Sequence, residues 1–162
     1  MSAIDRLPEA NARYLAAYTG PTPKEPALRL AVVACMDSRL ALFPALGLNI
    51  GDAHLIRNAG AIATPDVLRS LAISQRALGT REIALIGHID CGMANFDDTA
   101  FRAELAAESG QQPDWDVPGF TDVAASVAES VARIRECSWL PYRDSVRGFV
   151  YDVRTGQITE VD

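Results

Sequence analysis

Three short apolar segments, each of strand length, alternate along this chain with stretches whose apolar residues recur at helical spacing. The segments span residues 28–33, 53–57 and 82–87, and helical patterns over residues 40–46 and 65–78 separate them. A strand–helix–strand order implies right-handed crossover connections, and such connections join parallel strands. The sequence therefore predicts an α/β protein with a mostly parallel central sheet flanked by helices.

The flanking parts of the chain predict an arm and further elements. Residues 4–18 are predicted to form a helix, and the proline-containing segment 20–26 predicts a connector without regular structure. We expect one domain over residues 1–162, with residues 1–26 as an N-terminal helical arm and its connector. The remaining patterns predict helices over 96–109 and 121–137 and strands over 146–152 and 157–161.

Composition argues against several classes of partner. The 162 residues carry a net charge of −6 and contain no run rich in lysine or arginine, which argues against nucleic acid and anionic membrane surfaces. No apolar stretch approaches the roughly 18–20 residues of a membrane span, and the N-terminus does not resemble a signal peptide. Three cysteines cannot all pair within one chain, so we expect a reducing, cytoplasmic compartment.

Polar side chains begin where the first predicted strand ends. Cys35, Asp37 and Arg39 occupy alternate positions, so all three point to one side if the backbone is extended. A thiolate, a carboxylate and a guanidinium make a poor core, whereas ligands of open α/β sheets collect at the carboxyl ends of strands. The stretch is therefore a candidate metal and anion site.

A second polar stretch follows the third predicted strand. His88 and Cys91 form a His-x-x-Cys pair, which a turn over residues 90–92 can bring onto one ion. With Cys35 they make the Cys₂His set of zinc enzymes that keep a fourth coordination position open. Because each half follows a predicted parallel strand, the sequence predicts a Zn²⁺ site at one edge of the sheet.

Other interpretations of these residues stay open at this point. The cysteines and the histidine can be packing residues, or Cys35 and Cys91 can form a redox pair. A deaminase-type zinc site is disfavoured because its His-x-Glu and Pro-Cys-x-x-Cys elements are missing. Asp37 and Arg39 can form a surface ion pair or a bidentate pair in a cleft. Asp37 can also bind the metal itself, which would close the site to water.

The positions of one turn and two further residues in the predicted elements indicate their roles. The turn Asn58-Ala59-Gly60 consists of small residues that let the backbone approach a ligand closely. We expect residues 57–60, including Arg57, to line the site, and the alternative is that they only form the turn between strand and helix. His54 lies within a predicted strand and Cys137 lies near a predicted helix end. We expect both to have structural roles.

Three motifs together resemble those of the β-class carbonic anhydrases. They are residues 34–39, residues 57–60 and residues 88–93, and they occur in the family's order with similar gaps. The resemblance covers nearly the whole chain, including residues 70–74 and 147–152. It is nearest to the short, single-domain actinobacterial members.

The resemblance implies a fold, an assembly and a set of site residues. It implies the family's mostly parallel sheet, Zn²⁺ on Cys35, His88 and Cys91, and Asp37 with Arg39 as the catalytic pair. It implies a homodimer or homotetramer whose N-terminal helices embrace the partner subunit. The substrate pocket that it implies is lined by Ser38, Asn58, Ala59, Gly60, Gly92 and Met93.

The resemblance also implies a reaction. The family's zinc lyases attack CO₂ with a zinc hydroxide and form bicarbonate reversibly. Members that look alike hydrolyse carbonyl sulfide or carbon disulfide, because these linear triatomic molecules are nearly isosteric with CO₂. The expectation is therefore CO₂ hydration, with hydrolysis of carbonyl sulfide or carbon disulfide to H₂S and CO₂ as the alternative.

Overall fold

The computed structural model describes residues 2–161, which form a five-stranded sheet with elements packed on both faces. The strands are β1 (Leu30–Cys35), β2 (Ala53–Asn58), β3 (Glu82–His88), β4 (Val146–Tyr151) and β5 (Ile158–Val161). The α-helices are α1 (Leu7–Leu15), α2 (Leu42–Ala45), α3 (Pro65–Leu78), α4 (Asp98–Ser109) and α5 (Val123–Glu136). Short 3₁₀ turns span Ile4–Arg6 and Ala59–Ala61.

The strand order is β2-β1-β3-β4-β5, and neighbouring strands run parallel except for the antiparallel pair β4–β5. The predicted α/β fold with a mostly parallel sheet, helical flanks and an N-terminal helix is therefore confirmed. The register pairs Cys35 with Asn58 of β2 and His88 with Tyr151 of β4. The carboxyl ends of these parallel strands consequently lie along one edge of the sheet.

The central strand β1 is buried on both faces. Ala31 and Val33 contribute to a core that includes residues of α3 and α5, whereas Val32 and Ala34 contribute to a second core that includes Leu42 of α2. The side chains on both faces of β1 are thus shielded from water. This is why the strand has a continuous apolar sequence and not an alternating one.

Two glycines allow α5 to lie close to the sheet. A Cβ atom at Gly87 of β3 would lie 2.7 Å from Val127 Cγ2, and one at Gly148 of β4 would lie 2.5 Å from Val127 Cγ1. Both separations are shorter than carbon atoms tolerate, so any side chain there would push α5 away from the sheet. Because Gly87 directly precedes His88, the backbone carrying that histidine is packed tightly under α5.

The predicted limits of α3 are confirmed by its caps. Thr64 Oγ1 accepts a hydrogen bond from the Val67 N–H, and Pro65 occupies the first helical position. At the other end, Gly79 adopts a left-handed conformation with φ of +78°, which a residue without Cβ reaches easily.

Several other boundaries differ from the predictions. β1 begins at Leu30 and not at residue 28, because Arg29 has a positive φ of +52° and interrupts the extended chain. The helix predicted over 40–46 is limited to the short α2. The helix predicted over 96–109 begins at Asp98, since the Asp97 side chain caps it.

The N-terminal arm is exposed along its helical length. No residue of Ile4–Leu15 is buried, although several large apolar side chains lie there. The helix ends at Leu15, three residues before the predicted end, and residues 16–18 continue only as turns. The assignment of residues 1–162 to one domain, with an arm over 1–26, stays a prediction. Within residues 2–161, no helix is both long and apolar enough to cross a membrane.

Candidate metal centre

Three buried ligand atoms meet at the edge of the sheet where the parallel strands end. Cys35 is the last residue of β1, His88 is the last residue of β3, and Cys91 lies in the loop that follows. One ligand atom from each of the three lies within 4.8 Å of the other two. The structure therefore brings together the three residues predicted to bind metal, although their sequence positions span two separate motifs.

The distance between the two sulfurs fits coordination of one ion and not a disulfide. The Cys35 and Cys91 Sγ atoms lie 3.9 Å apart, and both cysteines are free. A tetrahedral zinc ion with bonds of about 2.3 Å to each sulfur would hold them about 3.8 Å apart. A disulfide would need about 2.0 Å.

His88 provides a buried ring nitrogen that has no hydrogen-bond partner among residues 2–161. Its Nδ1 lies 2.9 Å from the Ile89 carbonyl oxygen, and a carbonyl can only accept, so we assign the proton to Nδ1. Nε2 then carries a free lone pair, and it is the buried atom without a partner. Such an atom costs free energy unless a ligand engages it, so the ligand set fits a zinc ion.

The environment of Cys91 disfavours a bare thiolate. Burial raises the pKa of the Cys91 thiol, and the neighbouring Cys35 sulfur adds to that rise. The Met93 N–H, 3.5 Å from Cys91 Sγ, acts in the opposite direction. A cation between the sulfurs would offset the cost of holding two thiolates in this buried place.

Asp37 and Arg39 form a forked ion pair beside the three ligands. Arg39 Nε donates to Asp37 Oδ1 at 3.0 Å, Arg39 Nη2 donates to Oδ2 at 2.7 Å, and the Arg39 backbone N–H donates to Oδ1 at 2.9 Å. These hydrogen bonds hold the pKa of the Asp37 carboxyl well below its usual range. Asp37 Oδ2 lies 3.8 Å from His88 Nε2, which places the pair at the centre and not on a remote surface.

The route by which Asp37 and Arg39 reach the site differs from the predicted one. We expected an extended chain with Cys35, Asp37 and Arg39 on one side, but β1 ends at Cys35 and the next residues turn. The Leu40 N–H donates to the Asp37 carbonyl oxygen within this turn. The forked pair, and not strand alternation, brings Arg39 next to Asp37.

Binding of the metal by Asp37 itself stays a prediction. Both of its carboxylate oxygens are engaged by Arg39, and Asp37 lies outside the group of three ligand atoms. Its side chain is only 17% exposed, whereas that of Arg39 is 45% exposed. The carboxylate is therefore sheltered, while the guanidinium reaches the surface.

Two further charged residues shape the site. Arg57 was expected to line it, whereas Asp90 was not assigned from the sequence. Arg57 donates from Nε to the Cys35 carbonyl oxygen at 2.9 Å and from Nη2 to the Asp37 carbonyl oxygen at 2.6 Å, so it fixes the backbone there. Asp90 accepts from Arg39 Nη1 at 2.6 Å. For Asp90 the available signal was its position in the sequence between His88 and Cys91.

Asn58 and Gly60 both stabilise the turn in which they lie. Asn58 Nδ2 donates to the Ile62 carbonyl oxygen at 2.7 Å, and Asn58 Oδ1 accepts from the Ile62 N–H at 3.1 Å. Gly60 has φ of +84°, and a Cβ there would lie 3.3 Å from Met93 Cγ. The Asn58 side chain thus stabilises the turn, and the turn touches the loop that carries Cys91.

The other residues predicted to line a pocket lie at different depths. Ala59 and Met93 are half-buried, whereas Ser38 and Gly92 are exposed. A Cβ at Gly92 would meet no atom within 4 Å, so that side of the loop is open. The pocket-lining role of this set stays a prediction.

The two remaining candidates lie among polar and packing contacts, and their structural roles stay predictions. His54 Nδ1 lies 2.8 Å from Ser74 Oγ, which in turn lies 2.7 Å from Thr80 Oγ1. Cys137 packs against the core that includes residues of α3 and α5. Neither residue belongs to the ligand cluster.

A cluster of potential metal ligands and an oriented carboxylate at the carboxyl ends of parallel strands is the arrangement expected of an α/β protein with a metal site. Within this class, the carbonic anhydrase family model matches residues 30–115. The chain is 45% identical over 161 residues to β-carbonic anhydrase 1 of Mycobacterium tuberculosis, and the match covers 99% of each chain. The chain therefore belongs to the β-carbonic anhydrase family, as the sequence motifs predicted.

Two further relatives show the range of this similarity. The crystal structure of a carbonic anhydrase from Streptococcus mutans matches with a TM-score of 0.92 and 42% identity, over 100% of this chain and 99% of that chain. A carbon disulfide hydrolase of Acidithiobacillus thiooxidans is 34% identical over 151 residues, which cover 80% of this chain and 75% of the relative.

Proposed function

We propose that this protein catalyses the reversible hydration of CO₂ to bicarbonate with Zn²⁺ held by Cys35, His88 and Cys91. The observation that carries the proposal is the position of Asp37, whose Oδ2 lies 3.8 Å from His88 Nε2 while Arg39 holds both carboxylate oxygens. A carboxylate fixed beside a metal ligand is suited to orienting a reacting water. Membership of the family supports the same reaction.

The residues of the chain have separate tasks in this proposal. Zinc, when bound, lowers the pKa of a coordinated water and so supplies a nucleophile near neutral pH. Asp37 accepts a hydrogen bond from the attacking water and thereby orients it. Arg39 keeps Asp37 ionised, so that the carboxylate accepts a hydrogen bond and cannot donate one.

The substrate needs space more than it needs hydrogen-bond donors, because CO₂ is small and linear. We propose that Gly92 and Met93 form one wall of its pocket and that Ala59 and Gly60 form another. The approach of Gly60 to Met93 supports this arrangement, since it joins the two loops beside the ligands. Ser38 and Asn58 would contribute through the turns in which they lie.

Proton release has no histidine relay in this proposal. The chain contains two histidines, of which His88 is a ligand and His54 bonds to Ser74. The proton would therefore leave through water and buffer, and turnover should rise with buffer concentration. Turnover should also rise with pH above neutrality, because two thiolate ligands donate charge to the metal and delay ionisation of its water.

Stopped-flow measurement of CO₂ hydration with a pH indicator tests the proposal on protein of known zinc content. We expect turnover that rises with pH and with buffer concentration. Absence of turnover in protein that carries a full complement of zinc would contradict the proposed reaction.

Hydrolysis of carbonyl sulfide or carbon disulfide is the second candidate, supported by the similarity to a carbon disulfide hydrolase. Water would attack the carbon atom and H₂S would leave, so that one carbonyl sulfide and one water give CO₂ and H₂S. The same zinc-loaded sample should be assayed for CO₂ hydration and for sulfide release. Rapid sulfide release beside slow CO₂ turnover would establish the alternative.

We also propose that the protein is a homodimer or a homotetramer in which the arm covers a partner subunit. Ile4, Leu7 and Leu15 are each more than half exposed, and an isolated helix of this length is marginal in water. Deletion of residues 1–20 should therefore cause dissociation or aggregation. A monomer in light scattering of the full chain would contradict the assembly.

The cysteines support a proposal for the compartment. All three are free of disulfides. Free thiols that serve as metal ligands are kept reduced in the cytoplasm, where we propose that the enzyme works on its small-molecule substrate.

A further inference from the structure

Arg39 has a second partner besides Asp37. Its Nη1 donates to Asp90 Oδ2 at 2.6 Å, and its Nη2 donates to the Asp90 carbonyl oxygen at 2.8 Å. A different edge of the same guanidinium, through Nε and Nη2, binds the two oxygens of Asp37. Arg39 therefore joins the turn after β1 to the loop between His88 and Cys91.

The two sets of contacts constrain each other. A guanidinium is planar and rigid, so fixing one edge also fixes the direction of the other. The four hydrogen bonds of the Arg39 side chain engage all three of its nitrogens. Rotation of the guanidinium away from Asp90 would therefore change the angle at which it meets Asp37.

The contact with Arg39 involves an uncommon backbone conformation at Asp90. Asp90 has φ of +56°, a left-handed conformation that aspartate and asparagine tolerate better than other residues with a Cβ. In this conformation its carbonyl oxygen and its carboxylate both accept from Arg39. An uncommon backbone conformation at a functional site is consistent with a positional requirement.

We propose that Asp90 is a positioning residue that acts through Arg39 to hold Asp37 in the orientation needed for catalysis. The inference rests on the proposed function, because Asp37 is assigned there to orient the attacking water. Asp90 does not touch the group of three ligand atoms, and its side chain is 74% exposed. An exposed ion pair contributes little to folding stability, so its effect should appear in the orientation of Arg39.

Three substitutions at Asp90 distinguish the effect of its carboxylate from the effect of its backbone conformation. In the zinc-loaded full chain, Asp90→Gly keeps the left-handed conformation without strain but removes the carboxylate, and Asp90→Ala removes it while adding strain. Asp90→Asn keeps an oxygen that can accept from Arg39 Nη1. Glu160→Gln is the matched control, since it removes the charge of another exposed carboxylate that pairs with an arginine, Arg147.

We expect kcat/KM for CO₂ to fall about 10-fold or more in Asp90→Ala and Asp90→Gly, as for other residues that orient active-site groups. Asp90→Asn should recover most of this loss, and Glu160→Gln should match the unsubstituted protein. Unchanged kcat/KM in Asp90→Gly would overturn the proposal, because the carboxylate would then be dispensable and a loss in Asp90→Ala would report backbone strain.

Nuclear magnetic resonance of the Arg39 Nε–H provides a readout that does not depend on turnover. The signal can be assigned with Arg39→Lys, and we expect slow exchange with water in the unsubstituted protein and in Asp90→Asn. Exchange should accelerate in Asp90→Ala and Asp90→Gly. If these changes occur in a protein without CO₂ turnover, the proposed function fails while the positioning of Arg39 holds. An Nε–H that exchanges equally slowly in all variants would overturn the role of Asp90.

Discussion

The chain contains two Asp-x-Arg segments with the same local geometry in different surroundings. The arginine backbone N–H donates to the aspartate Oδ1 at 2.9 Å in residues 37–39 and at 2.8 Å in residues 152–154. In both segments the guanidinium also forks onto the carboxylate and lowers the pKa of the aspartate. The fork therefore arises from local spacing and does not by itself indicate catalysis.

The difference between the segments lies in what surrounds each fork. Asp37 follows the central strand β1 and lies beside His88, and its arginine is also held by Asp90. Asp152 lies in the turn between β4 and β5, where the side chain of its partner Arg154 is 75% exposed. A common local motif thus acquires a candidate function only from the residues that the fold places next to it.

Loss of a metal ligand should have the largest effect, because the metal is the centre that Asp37 of the first segment is proposed to serve. Cys91→Ser should abolish CO₂ hydration and sharply reduce zinc content, since a serine hydroxyl at neutral pH is a poor replacement for a thiolate. Elemental analysis of protein purified without chelator should find about one zinc per chain before substitution. Cys137→Ser, at the cysteine that packs in the core, is the control and should keep both zinc and activity. Full zinc retention in Cys91→Ser would disprove the ligand assignment.

The second-largest effect should come from neutralising Asp37, whereas the same change at Asp152 should have no effect on activity. Asp37→Asn should lower kcat/KM for CO₂ about 100-fold with zinc retained, the upper range for residues that orient active-site groups. Asp152→Asn makes the same chemical change in the same local fork and should leave activity unchanged. Stopped-flow rates at equal zinc content make the comparison, and equal losses in the two variants would mean that the surroundings of Asp37 are irrelevant.

The smallest effect should appear in stability at acidic pH. Because the folded-state pKa of each aspartate is lowered, each pair stabilises the fold above the ordinary aspartate pKa of about 4, and this stabilisation is lost as pH falls below it. Asp37→Asn should flatten the acid decline of the unfolding free energy more than Asp152→Asn, since Asp37 is the less exposed.

Denaturant unfolding at several acidic pH values measures this difference. Any metal release in acid affects both variants and the unsubstituted protein. The difference between their curves of unfolding free energy against pH therefore reports the contribution of each carboxylate. A steeper decline in Asp37→Asn than in the unsubstituted protein would contradict the sign of the effect.

Local signals were sufficient to predict the order of the elements and the meeting of Cys35, His88 and Cys91. The helix between Thr64 and Gly79 was predictable because its caps are encoded by the residues at its ends. The meeting of Cys35 with His88 was predictable because parallel strands bring their carboxyl ends to one edge. These inferences need no knowledge of tertiary contacts.

Contacts between distant residues were not predictable in the same way. The sequence contains two Asp-x-Arg segments, and the one near the predicted ligands was recognised from its position after Cys35 and not from the segment itself. The Arg39–Asp90 contact joins residues 51 positions apart and depends on the left-handed backbone of Asp90. Asn58 was expected to line the site, but its amide is used by the turn to Ile62, which depends on the conformation of Gly60.

The close approach of α5 to Gly87 and Gly148 has a consequence for the kinetics of metal uptake. The helix is packed against the strand residue that precedes His88, so this proposed ligand should have little freedom to move before an ion binds. Binding should then require little loss of conformational entropy, in contrast to small domains that fold only around their metal. The apoprotein should therefore capture zinc in one rapid bimolecular step, without a slow rearrangement that limits the rate.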